Sequence, residues 1–209
     1  PNLNPNQVLL PGGGRYEGAV SRGLREGEGE CTYASGDVYA GTWLADQRNG
    51  QGSWRLVGGG RFEGGWRDDQ MQGRGVFTMP SGALVAGEWE GGVLRGAATL
   101  RGAASGGELY VGELAEVAGC RGELEPHGEG RGSTTLADGT AATFAGSWRH
   151  GEPDGVGTLT TDEQHAVHYV GGLRRGAFEG EGLLRGADGR EHRGGWRAGR
   201  PHGHGVSVD

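Results

Sequence analysis

Residues 39–66 read YAGTWLADQRNGQGSWRLVGGGRFEGGW and contain one complete copy of a repeat and the start of the next. The copy begins at an aromatic residue, Tyr39. A glycine follows two residues later, Trp43 follows after four, and a Gly-x-Gly lies further along. The same order restarts 23 residues on, at Phe62. Self-similarity at a fixed period of this length predicts a repeat architecture.

Eight copies run through the chain, and we call the first residue of each copy its leader. The leaders are Tyr16, Tyr39, Phe62, Val85, Tyr110, Phe144, Tyr169 and His192. Each copy has a glycine two residues after its leader, and four residues after it comes an apolar position that we call the tryptophan slot. These slots hold Val20, Trp43, Trp66, Trp89, Leu114, Trp148, Leu173 and Trp196.

The spacing of leader, glycine and slot predicts a β-strand, because residues i, i+2 and i+4 of a strand share one face. The glycine removes the side chain between two large rings, so a ring can lie over bare backbone. The polar segment Leu44–Asn49 predicts the loop that joins the two strands of a copy. Glycine-containing return turns between copies are predicted at Ser35-Gly36, Gly59-Gly60, Ser81-Gly82, Asp138-Gly139 and Asp188-Gly189.

Each copy is therefore a predicted β-hairpin, and a lone hairpin is only marginally stable in water. The copies are expected to pair side by side. The predicted fold class is all-β: an elongated, single-layer, twisted antiparallel sheet of consecutive hairpins over residues 15–208.

Composition excludes several other classes of protein. The 209 residues include 49 Gly and 7 Pro, but the glycines are periodic and interleaved with aromatic residues, which argues against disorder. The net charge of −7 is not a nucleic-acid-binding signature. There is no lysine, which excludes a phosphate-binding GxxxxGK loop and Schiff-base catalysis. Cys31 and Cys120 are expected to be two reduced thiols.

Two segments fall outside the regular pattern. Residues 1–14 are predicted to form a tail that folds back to cap the first copy; donation of a strand to a partner is the alternative. The fifth copy carries extra residues at 115–127, and the join at 133–143 is also long. Loop drift and a partner-contacting protrusion or hinge explain these irregularities equally well.

The motif YxGxW, followed after six residues by GxGxxxxxxG, resembles the MORN repeat (membrane occupation and recognition nexus). Tyr39 to Gly52 fits as written, and the resemblance extends over residues 16–208. Departures include Val85 as leader and Ala98 in place of a glycine. The resemblance implies a groove lined by the aromatic set and a role as scaffold or adaptor in ciliary, cytoskeletal or membrane-tethering assemblies.

The favoured function is a non-enzymatic scaffold without cofactors, located in the cytoplasm with the cytoskeleton or cilium. The groove would accept an extended or helical segment of a partner protein, which the leaders, more than the tryptophans, are expected to touch. Open sheet ends make a homo-oligomer a further expectation. The candidate groove residues are Tyr16, Tyr39, Phe62, Tyr110, Phe144, Tyr169, Trp43, Trp66, Trp89, Trp148 and Trp196.

Two alternatives are weaker. Anionic phospholipid binding would use the basic residues of the last copy, namely Arg190, Arg193, Arg197, Arg200, His192 and His202. A metal-dependent enzyme would use His192, His202 and His204, but the repeat already explains the last two as polar positions beside the Gly-x-Gly. No grouping typical of nucleophilic catalysis stands apart from the repeat.

Overall fold

The computed structural model describes residues 7–10, 12–103, 107–117, 122–136, 139–161 and 167–208. Every regular element in these ranges is a β-strand, and strands that follow each other in a hairpin pair antiparallel. The predicted all-β sheet of consecutive hairpins is confirmed. The chain divides into two compact units: Pro1–Gly107 with Ala118–Glu123, and Glu108–Val117 with Leu124–Asp209. We call them the N-terminal unit and the C-terminal unit.

The N-terminal unit has a short first strand followed by four hairpins, and each strand pairs with the next. The short strand pairs with the first strand of the first hairpin, with Val8 opposite Tyr16. It thus lies along the edge that the first repeat would otherwise expose; residues 1–6 and 11 of the predicted tail lie outside the described residues. The strands are β1 (Gln7–Leu9), β2 (Arg15–Ser21), β3 (Leu24–Thr32), β4 (Val38–Leu44), β5 (Gln47–Arg55), β6 (Arg61–Arg67), β7 (Gln70–Thr78), β8 (Leu84–Glu90) and β9 (Val93–Arg101).

The C-terminal unit contains the other four hairpins in the same sequential order. Its last strand pairs with the strand before it, and all nine of its residues are exposed. The strands are β10 (Glu108–Glu116), β11 (Leu124–Thr135), β12 (Ala141–Arg149), β13 (Glu152–Thr161), β14 (His168–Arg174), β15 (Ala177–Arg185), β16 (Glu191–Arg197) and β17 (Arg200–Val208).

The turn inside each regular hairpin is tighter than the sequence predicts. Leu44–Asn49 was expected to be a loop, but β4 continues to Leu44 and β5 begins at Gln47. Only Ala45 and Asp46 form the turn, with φ values of 48° and 69°. Positive φ at both positions is the type I′ geometry that matches the twist of paired strands. The extra residues are absorbed in a bulge, where Gly50 has a φ of 84° and the register shifts after Gly41.

The return turns lie where the glycines predict them. In the first, the amide of Gly36 donates to the carbonyl of Tyr33 at 2.9 Å, and Gly36 has a φ of 89°. The same bond recurs at Gly59, Gly82, Gly139 and Gly189, each with positive φ. Glycine adopts this backbone without steric cost, whereas a residue with a Cβ does not.

The irregular fifth repeat extends its hairpin. Leu114 to Glu116 pair with residues 124–126, so part of the insertion at 115–127 continues the two strands. Glu123 accepts hydrogen bonds from the amide and the hydroxyl of Ser81, at 2.7 and 2.8 Å, within the N-terminal unit. Residues 118–121 of the insertion and 137–138 of the join lie outside the described residues.

Candidate functional site

The aromatic residues of the predicted groove form a ladder in which tryptophans sit between leaders. Trp43 lies between Tyr16 and Tyr39, with ring centroids 5.5 and 5.0 Å apart and ring planes at 82° and 87°. Perpendicular edge-to-face contacts of this kind are favourable because the positive edge of one ring meets the negative face of the other. The face of the sheet that carries these residues is called the ring face. Trp66, Trp89, Trp148 and Trp196 make equivalent contacts.

Each leader ring lies over glycine backbone, as the spacing predicts. A Cβ added at Gly52 would stand closer than 3.0 Å to the hydroxyl and ring carbons of Tyr39. The hydroxyl donates to the carbonyl of Thr42 at 3.1 Å, so it is satisfied although the ring is buried. The equivalent bonds of Tyr16 and Tyr169 are 2.8 and 2.9 Å long. The glycines are therefore required by close approach of the rings.

Two arginines pack over tryptophan rings at the hairpin ends of the N-terminal unit. The guanidinium of Arg48 lies 4.3 Å from the ring centroid of Trp66 and 2.9 Å from the Asp69 carboxylate. Arg25 repeats the arrangement with Trp43 and Asp46, at 4.0 and 3.0 Å. A guanidinium over an indole face gains cation–π attraction while its edge stays free for hydrogen bonds.

The structure brings the eleven candidate groove residues together as core. The six aromatic leaders are 0–1% exposed and the five tryptophans 1–7% exposed. The leaders, which were expected to touch a partner, therefore offer no more surface than the tryptophans, because each leader is pressed against backbone. Burial also raises the pKa of the Tyr110 phenol to about 12, with a further contribution from Glu113. Contact of these rings with a partner stays a prediction.

A concavity that sequence reasoning did not locate lies on the opposite face of the N-terminal unit, which we call the open face. It has a volume of about 620 Å³, and its lining includes Val76, Ala86 and Ala97. These residues alternate with ring-face residues along their strands, so their side chains point away from the rings.

A stripe of glycines in register underlies this concavity. Seven glycines face one another across β2 to β8, and we call them the glycine stripe of the N-terminal unit. A Cβ at six of these glycines, all but Gly87, would collide with a leader ring, so the stripe makes room for the rings on the ring face. Its members are Gly18, Gly29, Gly41, Gly52, Gly64, Gly75 and Gly87.

The C-terminal unit has its own stripe of eight glycines in register, but its open face is more aliphatic. Val156 is 71% exposed and Val170 44% exposed, and Leu183 lies opposite Val170 in the register. The glycines are Gly112, Gly130, Gly146, Gly157, Gly171, Gly182, Gly194 and Gly205.

The basic residues proposed for lipid binding do not form one patch. Arg190 lies in a return turn, 3.6 Å from the Asp188 carboxylate, whereas Arg197 and Arg200 face each other at the opposite end of β16 and β17. Seven strand residues separate the two ends by about 20 Å. Arg193 points to the open face between them.

The histidines considered for a metal site are also apart. His192 is a leader on the ring face and lies 2.9 Å from the Ser207 hydroxyl, whereas His204 alternates to the open face. Within the part of the chain that the structure describes, no three His, Cys, Asp or Glu side chains are placed to hold a metal ion. The described residues also include no helix that is long and apolar enough to cross a membrane.

Comparison with known proteins agrees with this geometry. The MORN repeat profile matches six segments that together cover more than half of the chain: residues 16–38, 39–61, 62–84, 144–162, 169–189 and 192–208. The chain belongs to the MORN-repeat family. MORN repeats are generally associated with interactions with proteins or membranes. No curated protein matches the chain.

The two repeats that the MORN profile passes over still form hairpins. One is β8–β9, where Val85 is fully buried as leader and Ala98 replaces a glycine of the motif. The other is β10–β11, which carries the insertion. Val85 is buried at the position that a ring fills in other repeats, and Ala98 is only 3% exposed. The hairpin therefore forms although both residues depart from the MORN motif.

Proposed function

We propose that this MORN-repeat protein is a non-enzymatic scaffold that binds extended segments of partner proteins along the open face of its sheet. In this role it is a structural subunit of a larger assembly, such as a ciliary or cytoskeletal complex in the cytoplasm. The observation that supports the proposal is the concavity on the open face of the N-terminal unit, with Val76, Ala86 and Ala97 in its lining. The ring ladder holds the sheet together from one side and leaves the other side free.

Site-specific photo-crosslinking tests this proposal directly. The usual amine-reactive cross-linkers are unsuitable because the chain has no lysine. A benzophenone amino acid placed at Ala86, on the open face, should yield a discrete covalent adduct with a protein from the native cell extract. The control carries the same group at Val57, which is 68% exposed in a return turn.

A defined adduct at Ala86 that is absent at Val57 supports the scaffold role. If position 86 gives no protein adduct while the chain floats with anionic vesicles in a salt-sensitive manner, the lipid-binding alternative replaces it.

A further inference from the structure

A second concavity lies on the C-terminal unit, at the ends of its last two hairpins. It has a volume of about 400 Å³, and its lining includes Leu136, Phe178 and Ala198 as well as the cationic Arg175. The Phe178 ring stacks on the Tyr169 ring, with centroids 3.8 Å apart, and is only partly buried. The concavity therefore offers a small apolar surface beside a positive charge.

The N-terminal unit shows which group fills the equivalent place in other repeats. Arg25 lies nine residues after its leader, and its amide donates to the carboxylate of Asp46, in the turn of the next hairpin, at 2.8 Å. The Arg25 guanidinium donates to the same carboxylate at 3.0 Å. Arg48 and Asp69 repeat the two contacts, at 3.0 and 2.9 Å. A carboxylate thus joins neighbouring hairpins at this place.

Phe178 and Gly199 occupy the same two positions in the last two repeats. The backbone bond that accompanies the contact is retained. The amide of Gly199 donates to the carbonyl of Phe178 at 3.0 Å, just as the amide of Asp46 donates to the carbonyl of Arg25 at 3.1 Å. The Phe178 amide is therefore placed as the Arg25 amide is, but Gly199 has no side chain to supply the matching carboxylate. This amide is suited to accept a carboxylate from outside the chain as its partner.

The charge at these hairpin ends also favours an anionic occupant. Four exposed arginines lie there, and among the described residues none of the four forms an ion pair. Glu179, in the same hairpins, already accepts a hydrogen bond from the amide of Ala198 at 3.0 Å. The cations are locally in excess although the whole chain has a net charge of −7. The arginines are Arg174, Arg175, Arg197 and Arg200.

We infer that this concavity docks an acidic segment of a partner protein. One carboxylate of the segment accepts a hydrogen bond from the Phe178 amide and pairs with Arg175, in the way that the turn carboxylates do in the first repeats. A neighbouring aliphatic or aromatic side chain of the segment rests on Leu136 and the Phe178 ring. The inference goes beyond the scaffold role proposed above, because it adds a second docking surface, on the C-terminal unit, and gives the charge of its partner.

Binding of defined peptides to the full chain tests the site. The probe is a fluorescein-labelled ten-residue peptide of Asp and Gly with one central Phe, and its comparator has Asn in place of every Asp. Fluorescence anisotropy gives the affinities at physiological salt, where interactions with distant charges are screened. The acidic peptide should bind at least tenfold more tightly than the neutral one, although the chain is acidic overall.

A substitution at Gly199 locates the site. Gly199→Asp supplies from within the chain the carboxylate that Asp46 supplies in the second repeat, so it should weaken binding of the acidic peptide by at least tenfold. Gly199 has a φ of 77°, close to the 69° of Asp46, and an added Cβ would meet no atom within 4 Å. The variant should therefore keep the far-ultraviolet circular dichroism of the parent chain.

Two controls separate the site from general charge effects. Gly151→Asp adds the same charge at the same turn position of the sixth repeat, but the residue opposite is Pro126, which has no amide hydrogen. It should change binding less than twofold. Arg175→Gln should weaken binding by about fivefold, as expected for one exposed charge contact, whereas Arg149→Gln at the hairpin end of the sixth repeat should change it less than twofold.

Three results would overturn the inference: equal binding of the acidic and neutral peptides, equal weakening by Gly199→Asp and Gly151→Asp, or full binding of the acidic peptide by folded Gly199→Asp. If the peptide does not bind, but the chain floats with anionic phospholipid vesicles and Gly199→Asp abolishes this, the site belongs to lipid headgroups instead. The scaffold role fails separately, because the adduct at position 86 forms on the N-terminal unit and should not change in Gly199→Asp.

Discussion

Replacing Gly75 by alanine tests whether ring-over-glycine contact, rather than backbone conformation, requires the glycines. A Cβ at this position would stand closer than 3.0 Å to two carbon atoms of the Phe62 ring. Gly75 has no positive φ, so alanine suits its backbone. Gly73, two residues away, has the reverse properties: its φ is 72° and an added Cβ would meet no atom within 4 Å.

The magnitude follows from how little the Phe62 ring can retreat. The ring is fully buried, and it lies 5.5 Å from the Trp66 ring and 5.2 Å from the Trp89 ring. Overpacking in such a site costs about 1–3 kcal/mol, and the lower chain entropy of unfolded alanine offsets up to about 1 kcal/mol of it. Because the Phe62 ring has little room to move, we take the larger overpacking cost, about 3 kcal/mol, and subtract an offset of about 1 kcal/mol. We therefore expect Gly75→Ala to lower the free energy of unfolding by about 2 kcal/mol. Gly73→Ala should cost about 1 kcal/mol through backbone strain alone.

The assay is urea unfolding followed by tryptophan emission, with a double-mutant cycle to identify the colliding group. Phe62→Ala by itself should cost about 3–5 kcal/mol because it empties a buried site. In the double variant with Gly75→Ala, the new methyl group meets space instead of a ring. The two costs should therefore fall short of additivity by about 2 kcal/mol.

Two outcomes would refute the reasoning. If Gly75→Ala destabilises no more than Gly73→Ala, steric contact with the ring is not what the glycine avoids. If the cycle at Gly75 and Phe62 is additive within about 0.5 kcal/mol, the added methyl group collides with something other than the ring.

Three further predictions concern the first two repeats. Cys31 is fully buried, and burial raises the pKa of its thiol. In a Cys120→Ser variant, iodoacetamide should therefore modify Cys31 only after the chain unfolds, as measured by mass spectrometry. Rapid labelling of the native chain would contradict this burial. The backbone amide and side chain of Arg25 lower the pKa of the Asp46 carboxyl, so the stability that this contact adds is present above pH ~4 and is lost as the pH falls through the lowered pKa. As the pH falls below about 4, Asp46→Asn should therefore lose stability less steeply than the parent chain, and equal slopes in acid titrations would refute this. Trp43→Phe removes the 3.1 Å hydrogen bond from the indole to the backbone carbonyl of Gly29, together with some ring contact area. It should lower the free energy of unfolding in urea by about 1–2 kcal/mol. A change below about 0.3 kcal/mol would show that the bond is dispensable.

The local design of the repeat was predictable from the sequence because it depends on short-range geometry. The two-residue spacing from Tyr39 to its glycine fixes which side chains share a face, and the glycine fixes where a ring can lie. The position of Gly36 fixes a return turn in the same way. The turn at Ala45 and Asp46 was missed because neither residue carries the usual glycine signal for two positive φ values.

The docking face could not be read from the repeat, because exposure depends on how neighbouring hairpins pack. A leader such as Tyr39 has the composition of a binding residue, yet pairing of the strands presses it between its own glycines and Trp43. The residues that remain available, such as Glu63 and Ala86, occupy variable positions that carry no motif. Only the register places them beside one concavity.

The sequence by itself determined the hairpin, its period and the face on which the rings lie, since alternation along a strand and the absent side chain of glycine act within a few residues. Tertiary structure alone decided that the rings would become core and that a concavity would lie on the open face of the N-terminal unit. The physical reason is that the glycines align only when separate hairpins pair in register, and this alignment lets the rings bury themselves against the backbone of neighbouring strands.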